Sequence, residues 1–392
     1  MLKPNTARRV VKTANMDRSN HLRLWLCAVL ALFSVSCTDS TSPSTVFAGS
    51  STTSDVSGTT VVTVATTPAP TTEPPPPGPE VDPDTSQEGL VAPLWDDTAY
   101  GEEAYRQVLA EVAEIGAEWV TIVPTWYQDS ATSSEIYPEE SGRTATDESL
   151  VTAIREARAL GLEVMLKPHV DIVDGGSRLE IVPEDAAEWF ERYREMILHY
   201  AAIAATEDVG QFVVGTELAG TIEAEDQWRH LVEEVRAVYP GPLTYAANHD
   251  SYGMVPFWDV LDVVGIDAYF PLAEEPTDDV AQLTESWENI ADEIEELATS
   301  LGRRVILTEV GYPSQEGAVT RPFDPAVSST ESVDEQDAAL RAMMGALDDE
   351  PWFAGFHWWM WFEERTPEEQ ALGYTPKGKP AGETLRERWS GG

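Results

Sequence analysis

Short runs of β-forming residues alternate with longer amphipathic segments along most of the chain, and this alternation restricts the fold more than any other feature. The predicted strands are Leu90–Leu94, Trp119–Pro124, Glu163–Pro168, Gln211–Thr216, Leu243–Ala247, Val263–Ala268, Arg304–Thr308 and Ala354–Trp359. Because strands that are each followed by a helix pair in parallel, eight such units predict a closed (β/α)8 TIM barrel spanning residues 88–392. A doubly wound open sheet is the alternative, and no glycine-rich phosphate loop follows the first strand to favour it.

Six amphipathic segments between these strands are predicted to be helices. They are Glu102–Gly116, Asp147–Gly161, Pro183–Thr206, Glu225–Tyr239, Val280–Leu301 and Val333–Leu347. Asp147 and the stretch Pro183–Asp185 carry N-terminal capping signals, and Gly116 and Gly161 are helix stops. The fifth connection is the weakest, because little more than Pro256–Leu261 is left to form it.

The residues before the barrel have a different composition. The uncharged run Leu24–Val35 is too short to span a bilayer and is typical of a signal peptide, predicted here over residues 1–37 with Met1 or Met16 as the start. Small residues before Cys37 resemble a bacterial lipoprotein cleavage site, so we expect Cys37 to be lipidated, with simple secretion as the alternative. Residues 38–87 are rich in Ser, Thr and Pro, which predicts a disordered linker. We therefore expect an extracellular protein anchored to the outer face of the cell membrane.

Charge and cysteine content exclude several classes of function. The chain has 69 Asp and Glu against 25 Lys and Arg, a formal net charge of −44 at pH 7, which disfavours nucleic acid as a partner. The two cysteines, Cys27 and Cys37, both precede the linker, so the folded domain has no thiol for a disulfide, a zinc site or a nucleophile. Nothing in the sequence indicates a cofactor or an obligate oligomer, and we expect a monomer.

Polar residues that end the apolar strands are the candidate functional residues, because TIM-barrel active sites lie at the carboxyl ends of the strands. Glu217 and Glu309 close the fourth and the seventh strand. Two carboxyl groups facing one cavity, one protonated and one ionised, are what glycoside hydrolysis requires. Indoles can stack on the sugar rings, and strand alternation places Trp359 and Trp361 on one face and Trp358 on the other.

An ordered set of motifs resembles glycoside hydrolase family 113, the β-mannanase-like group within the clan of retaining (β/α)8 glycoside hydrolases. The motifs are PTWYQD, MLKPHVD, VVGTEL, GIDAYFPL, ILTEVGYPS and YTPKGKPA. The resemblance covers about Gly89 to Trp389. It implies a retaining hydrolase of a β-1,4-linked polysaccharide or oligosaccharide, with β-mannan as the expected substrate and no cofactor or metal.

The resemblance also implies roles for individual residues. Glu217 would be the acid/base and Glu309 the nucleophile, with Tyr269 near the nucleophile. The sugar-contact candidates are His169, Asn248 and Trp126, with Trp359 or Trp361 as the platform under the cleaved sugar. Lys167, which ends the third predicted strand, and Tyr269 are also expected to line the substrate site. Many members of the wider clan carry Asn before the acid/base, where it binds the sugar 2-hydroxyl, and here that residue is Thr216. The contact would then come from Asn248 or be made differently, as the axial 2-hydroxyl of mannose allows.

Three alternatives remain open at this stage. A metal-dependent barrel hydrolase would use His169 and Asp171 together with His249 and Asp250. A barrel retained only for its groove would bind carbohydrate without cleaving it. An enzyme of this kind could also act on xylan, glucan or another cell-wall glycan, because the sequence does not predict the conformations of the loops that select the substrate.

Overall fold

A computed structural model describes residues 86–139, 142–362 and 366–390. The predicted signal peptide, Cys37 and all but the last two residues of the predicted linker lie outside these ranges. The described residues all belong to the second of the two units into which the chain divides, Ala69–Gly392. No helix within the described ranges has both the length and the apolarity needed to cross a membrane.

Within the described ranges, parallel strands form a closed barrel, which confirms the predicted TIM barrel. Around the wall, the strands are β1 (Gln87–Val91), β2 (Trp119–Ile122), β4 (Glu163–Leu166), β6 (Gln211–Thr216), β7 (Leu243–Asn248), β8 (Val264–Asp267), β9 (Val305–Val310) and β10 (Phe353–Trp359). Each matches a predicted run, although β1 lies three residues earlier than predicted. The last strand pairs with the first, Val91 beside Trp359, and this pairing closes the barrel.

A second, two-stranded sheet extends the wall on one side. Its strands, β3 (Thr125–Gln128) and β5 (His169–Ile172), follow β2 and β4 directly after Pro124 and Pro168 and pair in parallel. The His169 amide donates to the Pro124 carbonyl over 2.9 Å, so backbone pairing resumes immediately after the two prolines. The sequence analysis did not predict this sheet, which gives His169 and Asp171 a rigid backbone.

Helices surround the barrel. They are α1 (Glu103–Glu114), α2 (Asp147–Ala159), α3 (Ala186–Thr206), α4 (Glu225–Val238), α5 (Val280–Leu301), α6 (Val333–Leu347), α7 (Pro367–Leu372) and α8 (Pro380–Ser390). The fifth connection has two short 3-10 turns, Tyr252–Met254 and Trp258–Val260, in place of an α-helix. Asp185 caps α3 as predicted, but Thr146 rather than Asp147 caps α2, because the Thr146 side chain accepts the Ser149 amide hydrogen.

The core has two parts. One apolar cluster fills the space between the strands and the helices. A separate cluster contains one buried residue in or next to each of seven strands: Trp119, Met165, Val213, Ala246, Val263, Ile306 and Ala354. Because strand side chains alternate between two faces, this second cluster fills the barrel interior. Further along the strands, buried polar side chains replace it, among them Thr121, Lys167, Asp267, Thr308 and His357.

Candidate active site

Glu309 lies near the carboxyl end of β9, and only 3% of its surface is exposed. Its Oε1 accepts a hydrogen bond from the Lys167 ammonium, and its Oε2 accepts one from the Tyr269 hydroxyl over 2.6 Å. Burial and the adjacent Glu309 carboxylate raise the pKa of Tyr269 well above its ordinary value, so this phenol remains a donor. Two donors, one of them a cation, therefore hold both oxygens of the Glu309 side chain in place.

Lys167 is fully buried and bridges two carboxyl groups. Besides Glu309, its Nζ donates to both oxygens of Asp267, at 2.8 and 2.9 Å, and the Thr308 hydroxyl donates to Asp267 Oδ1 over 2.8 Å. Burial opposes the charged form of the ammonium, but the two carboxylates outweigh it and raise the pKa of Lys167. Burial and the charge of Glu309 raise the pKa of Asp267 well above its ordinary value. Lys167, predicted as a sugar contact, thus contacts the predicted nucleophile instead.

Glu217 follows β6 in the left-handed backbone region, at φ 54°, which costs a residue with a Cβ about 1–2 kcal/mol. Hydrogen bonds to β7 hold this turn: the Glu217 amide donates to the Ala246 carbonyl over 2.8 Å, and the Leu218 amide donates to the Tyr245 hydroxyl over 2.9 Å. Such a conformation persists only where the surrounding structure enforces it, and it is common at active sites. Here it fixes the direction in which the Glu217 carboxyl leaves the strand.

The environment of the Glu217 carboxyl favours its protonated form. Burial raises the pKa of Glu217, and the negative charge of Glu309 raises it further, whereas Arg178 and Lys167 oppose this shift. Arg178 Nη1 donates to Glu217 Oε2 over 3.1 Å. A carboxyl with a raised pKa beside a fixed carboxylate is the pairing that acid/base and nucleophilic roles require.

Arg178 and Asp267 are functional candidates that the sequence analysis missed. Arg178 lies on the 3-10 turn Arg178–Glu180, in a loop whose sequence has no periodicity to mark it. Asp267 lies within the predicted strand Val263–Ala268, and the residue that it contacts, Lys167, is 100 positions away along the chain. No local signal identifies either contact.

His169 lies beside Glu309 and is fully buried. Its Nε2 is 3.8 Å from Glu309 Oε1, and within the described residues neither ring nitrogen has a hydrogen-bond partner. Burial and the cations Arg178 and Lys167 lower the pKa of His169 well below its ordinary value, so the imidazole is neutral. A neutral imidazole can donate one hydrogen bond and accept another, which suits a contact with a sugar hydroxyl.

The structure separates the tryptophans at the end of β10. Buried His357 contacts Thr121 inside the barrel, at 2.7 Å between Nδ1 and Oγ1, so strand alternation places Trp359 on the same inner face. Trp358 lies on the outer face, where its indole donates to the Tyr374 carbonyl. Trp361 lies beyond the end of the strand, and its indole donates to Glu111 of α1 over 3.2 Å. Of the two predicted platforms, only Trp359 faces the interior.

Two other predicted sugar contacts have protein partners. The Trp126 ring packs against His199 and Tyr200 of α3, with centroids 6.4 Å away in each case. Asn248 lies beside Asp267 in the barrel wall, and its Nδ2 donates to Asp250 Oδ1 over 2.7 Å.

Thr216, which stands where the wider clan has Asn, is buried in front of Glu217. Its hydroxyl donates to the Pro168 carbonyl over 3.3 Å. This contact ties the end of β6 to the chain between β4 and β5, so Thr216 supports the wall beside the acid/base candidate.

The residues of the metal-site alternative have separate partners. Asp171 contacts Arg178 at 2.6 Å, Asp250 contacts Asn248, and the His249 ring stacks on Phe323 with centroids 5.7 Å apart. In the described part of the chain, no three His, Cys, Asp or Glu side chains form a group that could hold a metal ion.

Buried Glu309 and partly buried Glu217 lie at the strand ends of a parallel eight-stranded barrel, an arrangement typical of TIM-barrel glycoside hydrolases. The sequence profile of Glycoside Hydrolase Family 113 matches residues 94–379, and the chain belongs to this family, as the sequence motifs predicted. No curated protein sequence matches the chain.

Solved structures show the same relationship. The chain is similar to the GH113 β-mannanase AaManA from Alicyclobacillus acidocaldarius in complex with ManMIm, at 28% identity and a TM-score of 0.72 over 79% of this chain and 99% of that one. A complex structure of a GH113 β-1,4-mannanase gives 27% identity and a TM-score of 0.70 over 77% and 99%. A GH5_18 protein from Streptomyces cattleya, at 18% identity and a TM-score of 0.55 over 78% and 80%, shares the fold.

Proposed function

We propose that this glycoside hydrolase cleaves β-1,4-linked mannan with retention of anomeric configuration, with Glu309 as nucleophile and Glu217 as acid/base. The observation that carries the proposal is the contrast between the two carboxyl groups. Lys167 and Tyr269 hold both oxygens of Glu309, whereas burial and the charge of Glu309 raise the pKa of Glu217.

In the first half-reaction, protonated Glu217 donates its proton to the glycosidic oxygen while a Glu309 oxygen attacks the anomeric carbon. The glycosidic bond breaks, the leaving chain departs with the proton, and a glycosyl ester forms on Glu309. In the second half-reaction, ionised Glu217 takes a proton from water, whose oxygen attacks the anomeric carbon and releases the Glu309 carboxylate. Two inversions give net retention.

The surrounding residues have supporting roles in this proposal. Trp359 supplies an apolar platform for the cleaved sugar, because pyranose C–H faces stack on indole rings. His169 contacts a sugar hydroxyl through its ring nitrogens, which have no hydrogen-bond partner in the part of the chain that the structure describes. Lys167 and Tyr269 hold the nucleophile until the ester forms.

The choice of mannan follows from the relatives. Two of the similar solved structures are described as GH113 β-1,4-mannanases. A β-1,4-linked mannan is therefore the first substrate to test, and xylan, β-glucan and glucomannan are the comparisons.

We further propose that the enzyme is exported and attached through a lipid on Cys37, with residues 38–87 as a tether. The support is the apolar run Leu24–Val35 and the small residues before Cys37. A tethered enzyme at the cell surface suits a polymer that cannot diffuse inward.

Incubation of the protein with each of the four polysaccharides, followed by proton NMR before mutarotation, tests this function. We expect β-configured manno-oligosaccharides to appear first. Glu217→Gln and Glu309→Gln should abolish this release, whereas Glu233→Gln, on the exposed part of α4, should leave it unchanged. Initial α-configured products would show inversion and overturn the mechanism. Binding of manno-oligosaccharides without any release would favour a carbohydrate-binding barrel.

A further inference from the structure

The Arg178 guanidinium is shared between two carboxyl groups. Its Nη1 donates to Glu217 Oε2 over 3.1 Å, and its Nη2 donates to Asp171 Oδ1 over 2.6 Å. The side chains of Arg178, Asp171 and Glu217 are 18%, 24% and 15% exposed. Because all three are shielded from bulk water, these charges interact more strongly than a surface ion pair does.

The two carboxyl groups come from different parts of the wall. Asp171 lies on β5, in register with Tyr127 of β3, and so has a fixed backbone. Arg178 lies on a short turn in the loop that follows, and this loop reaches Glu217 at the end of β6. Asp171 therefore anchors the guanidinium from a strand of the second sheet.

An unbalanced guanidinium beside Glu217 would conflict with the role of a general acid. An opposite charge within about 4–6 Å lowers the pKa of a carboxyl by roughly 1–3 units. The general acid must be protonated when the substrate binds, and it must be ionised before water attacks the glycosyl ester. A cation beside Glu217 must therefore lower the pKa of this carboxyl only to a limited extent.

We infer that Asp171 is a positioning residue that holds the Arg178 guanidinium against Glu217 and balances its charge, so that Glu217 can exchange a proton in both half-reactions. This inference rests on the proposed function, in which Glu217 is the acid/base. When Glu217 is protonated, Arg178 keeps its bond to Asp171 and stays in place. When Glu217 is ionised, Arg178 Nη1 stabilises the Glu217 carboxylate, which accepts a proton from water.

Other charged and titratable groups also face Glu217. Glu309 on β9 raises the pKa of Glu217, and Lys167 on β4 lowers it. The Tyr245 hydroxyl on β7 and Asp267 on β8 also lie within electrostatic range of Glu217. Among the described residues, none of these groups forms a hydrogen bond with Arg178, which acts electrostatically on Glu309 of β9 and on His169 of β5.

The pH dependence of kcat/KM on the cleaved polysaccharide tests the inference, because its alkaline limb reports the pKa of the acid in the free enzyme. Asp171→Asn leaves the guanidinium unbalanced and should move the alkaline limb to lower pH by about one unit. Arg178→Gln leaves Asp171 as an unbalanced negative charge and should move the limb to higher pH by a similar amount. The double variant should return the limb close to its original position.

A purely structural role gives a different pattern. Loss of packing would lower kcat/KM at every pH or move both single variants in the same direction, and either result would overturn the inference. Arg229 is a matched control, since it also bridges two carboxyl groups, Asp259 and Glu225, but lies on α4. Arg229→Gln should leave the alkaline limb where it is.

A further variant separates this inference from the proposed function. If Glu217→Gln keeps the alkaline limb, Glu217 is not the acid and the proposed function fails. If Glu217→Gln abolishes activity, as the proposed function requires, but Asp171→Asn and Arg178→Gln leave the alkaline limb unmoved, only this inference fails. Should a variant be too slow to assay, carboxyl 13C NMR titration gives the same shift without turnover, with the Glu217 signal assigned by its loss in Glu217→Gln.

Discussion

Replacement of Lys167 by Met should destabilise the enzyme strongly, and the loss should grow as the pH rises. Lys167 is fully buried between Asp267 and Glu309, and its Nζ contacts both carboxyl groups. Met fills a similar volume but leaves two buried carboxyl groups without a cation. Breaking a buried ion pair by removing one partner costs about 3–5 kcal/mol.

This cost corresponds to a large shift in melting temperature. Since 1 kcal/mol shifts Tm by roughly 2–4 °C in domains of 150–250 residues and by less in larger ones, the expected fall is on the order of 10 °C. Arg192 provides a control, because its guanidinium contacts Glu135 and Glu195 and the three side chains are 40%, 63% and 59% exposed. Arg192→Met should change Tm little, since exposed pairs contribute little to stability.

The pH dependence follows from Asp267, whose folded pKa is raised well above its ordinary value by burial and by Glu309. Lys167 opposes this shift, so its removal raises the folded pKa further. A carboxyl whose folded pKa exceeds its unfolded value binds more protons in the folded state, and stability therefore falls as the pH rises through that interval. The Tm difference between wild type and Lys167→Met should be smaller at pH 5 than at pH 7.5.

Thermal unfolding of wild type, Lys167→Met and the Lys167→Met/Asp267→Asn double variant measures these effects. The double variant should recover part of the lost stability, because it removes one of the two uncompensated carboxyl groups. A small Tm change in Lys167→Met, or a change equal at both pH values, would refute the view that Lys167 is the buried counterion of Asp267 and Glu309.

Three further predictions concern the active site and the proposed lipid anchor. Tyr269→Phe removes the hydrogen bond to Glu309 Oε2, and such a bond to a charged acceptor contributes about 1.5–3 kcal/mol. In steady-state kinetics, this variant should lower kcat roughly 10- to 100-fold with a smaller change in KM. Trp359→Ala should mainly lower kcat/KM on oligosaccharides, whereas replacement of buried Trp361 by Ala should mainly lower Tm. Equal effects of the two variants on kcat/KM would contradict the placement of Trp359 alone on the inner face. Cys37→Ala should move the enzyme from the membrane fraction to the soluble fraction of producing cells, and an unchanged distribution would contradict lipidation.

The barrel could be predicted because its strands and helices carry strong local patterns. The run Gln211–Thr216 is a strand with both predicted ends, and Val280–Leu301 and Val333–Leu347 are helices with both predicted ends. Burial on both faces makes parallel strands continuously apolar, so their ends are marked by the first polar residue. The same feature identified Glu217 and Glu309.

The second sheet could not be predicted from the sequence, because Pro124 and Pro168 interrupt the runs of strand-forming residues. Pro124 and Pro168 each end a predicted strand, and the residues after them are short and mixed in polarity. They pair only because β2 and β4 are neighbours in the barrel and bring Thr125 beside His169. This pairing depends on contacts between residues that are distant in the sequence, so no short stretch of sequence predicts it.

The contacts of individual site residues could not be predicted from the sequence either. Alternation placed Trp359 and Trp361 on one face, but β10 ends at Trp359, so the period of two does not extend to Trp361. Lys167 was grouped with the sugar contacts because it ends a strand, yet its length lets the ammonium reach Asp267 and Glu309. Side-chain reach and the point at which a strand ends decide such contacts.

Covalent trapping of the glycosyl ester shows directly whether Glu309 attacks the anomeric carbon. A 2-deoxy-2-fluoro-β-mannosyl fluoride slows hydrolysis of the glycosyl ester, so the intermediate can be detected by intact-protein and peptide mass spectrometry. We expect one added sugar, attached to Glu309 and absent in Glu309→Gln. A label on another residue, or turnover to α-configured product without any label, would contradict the assignment of Glu309 as the nucleophile of a retaining hydrolase.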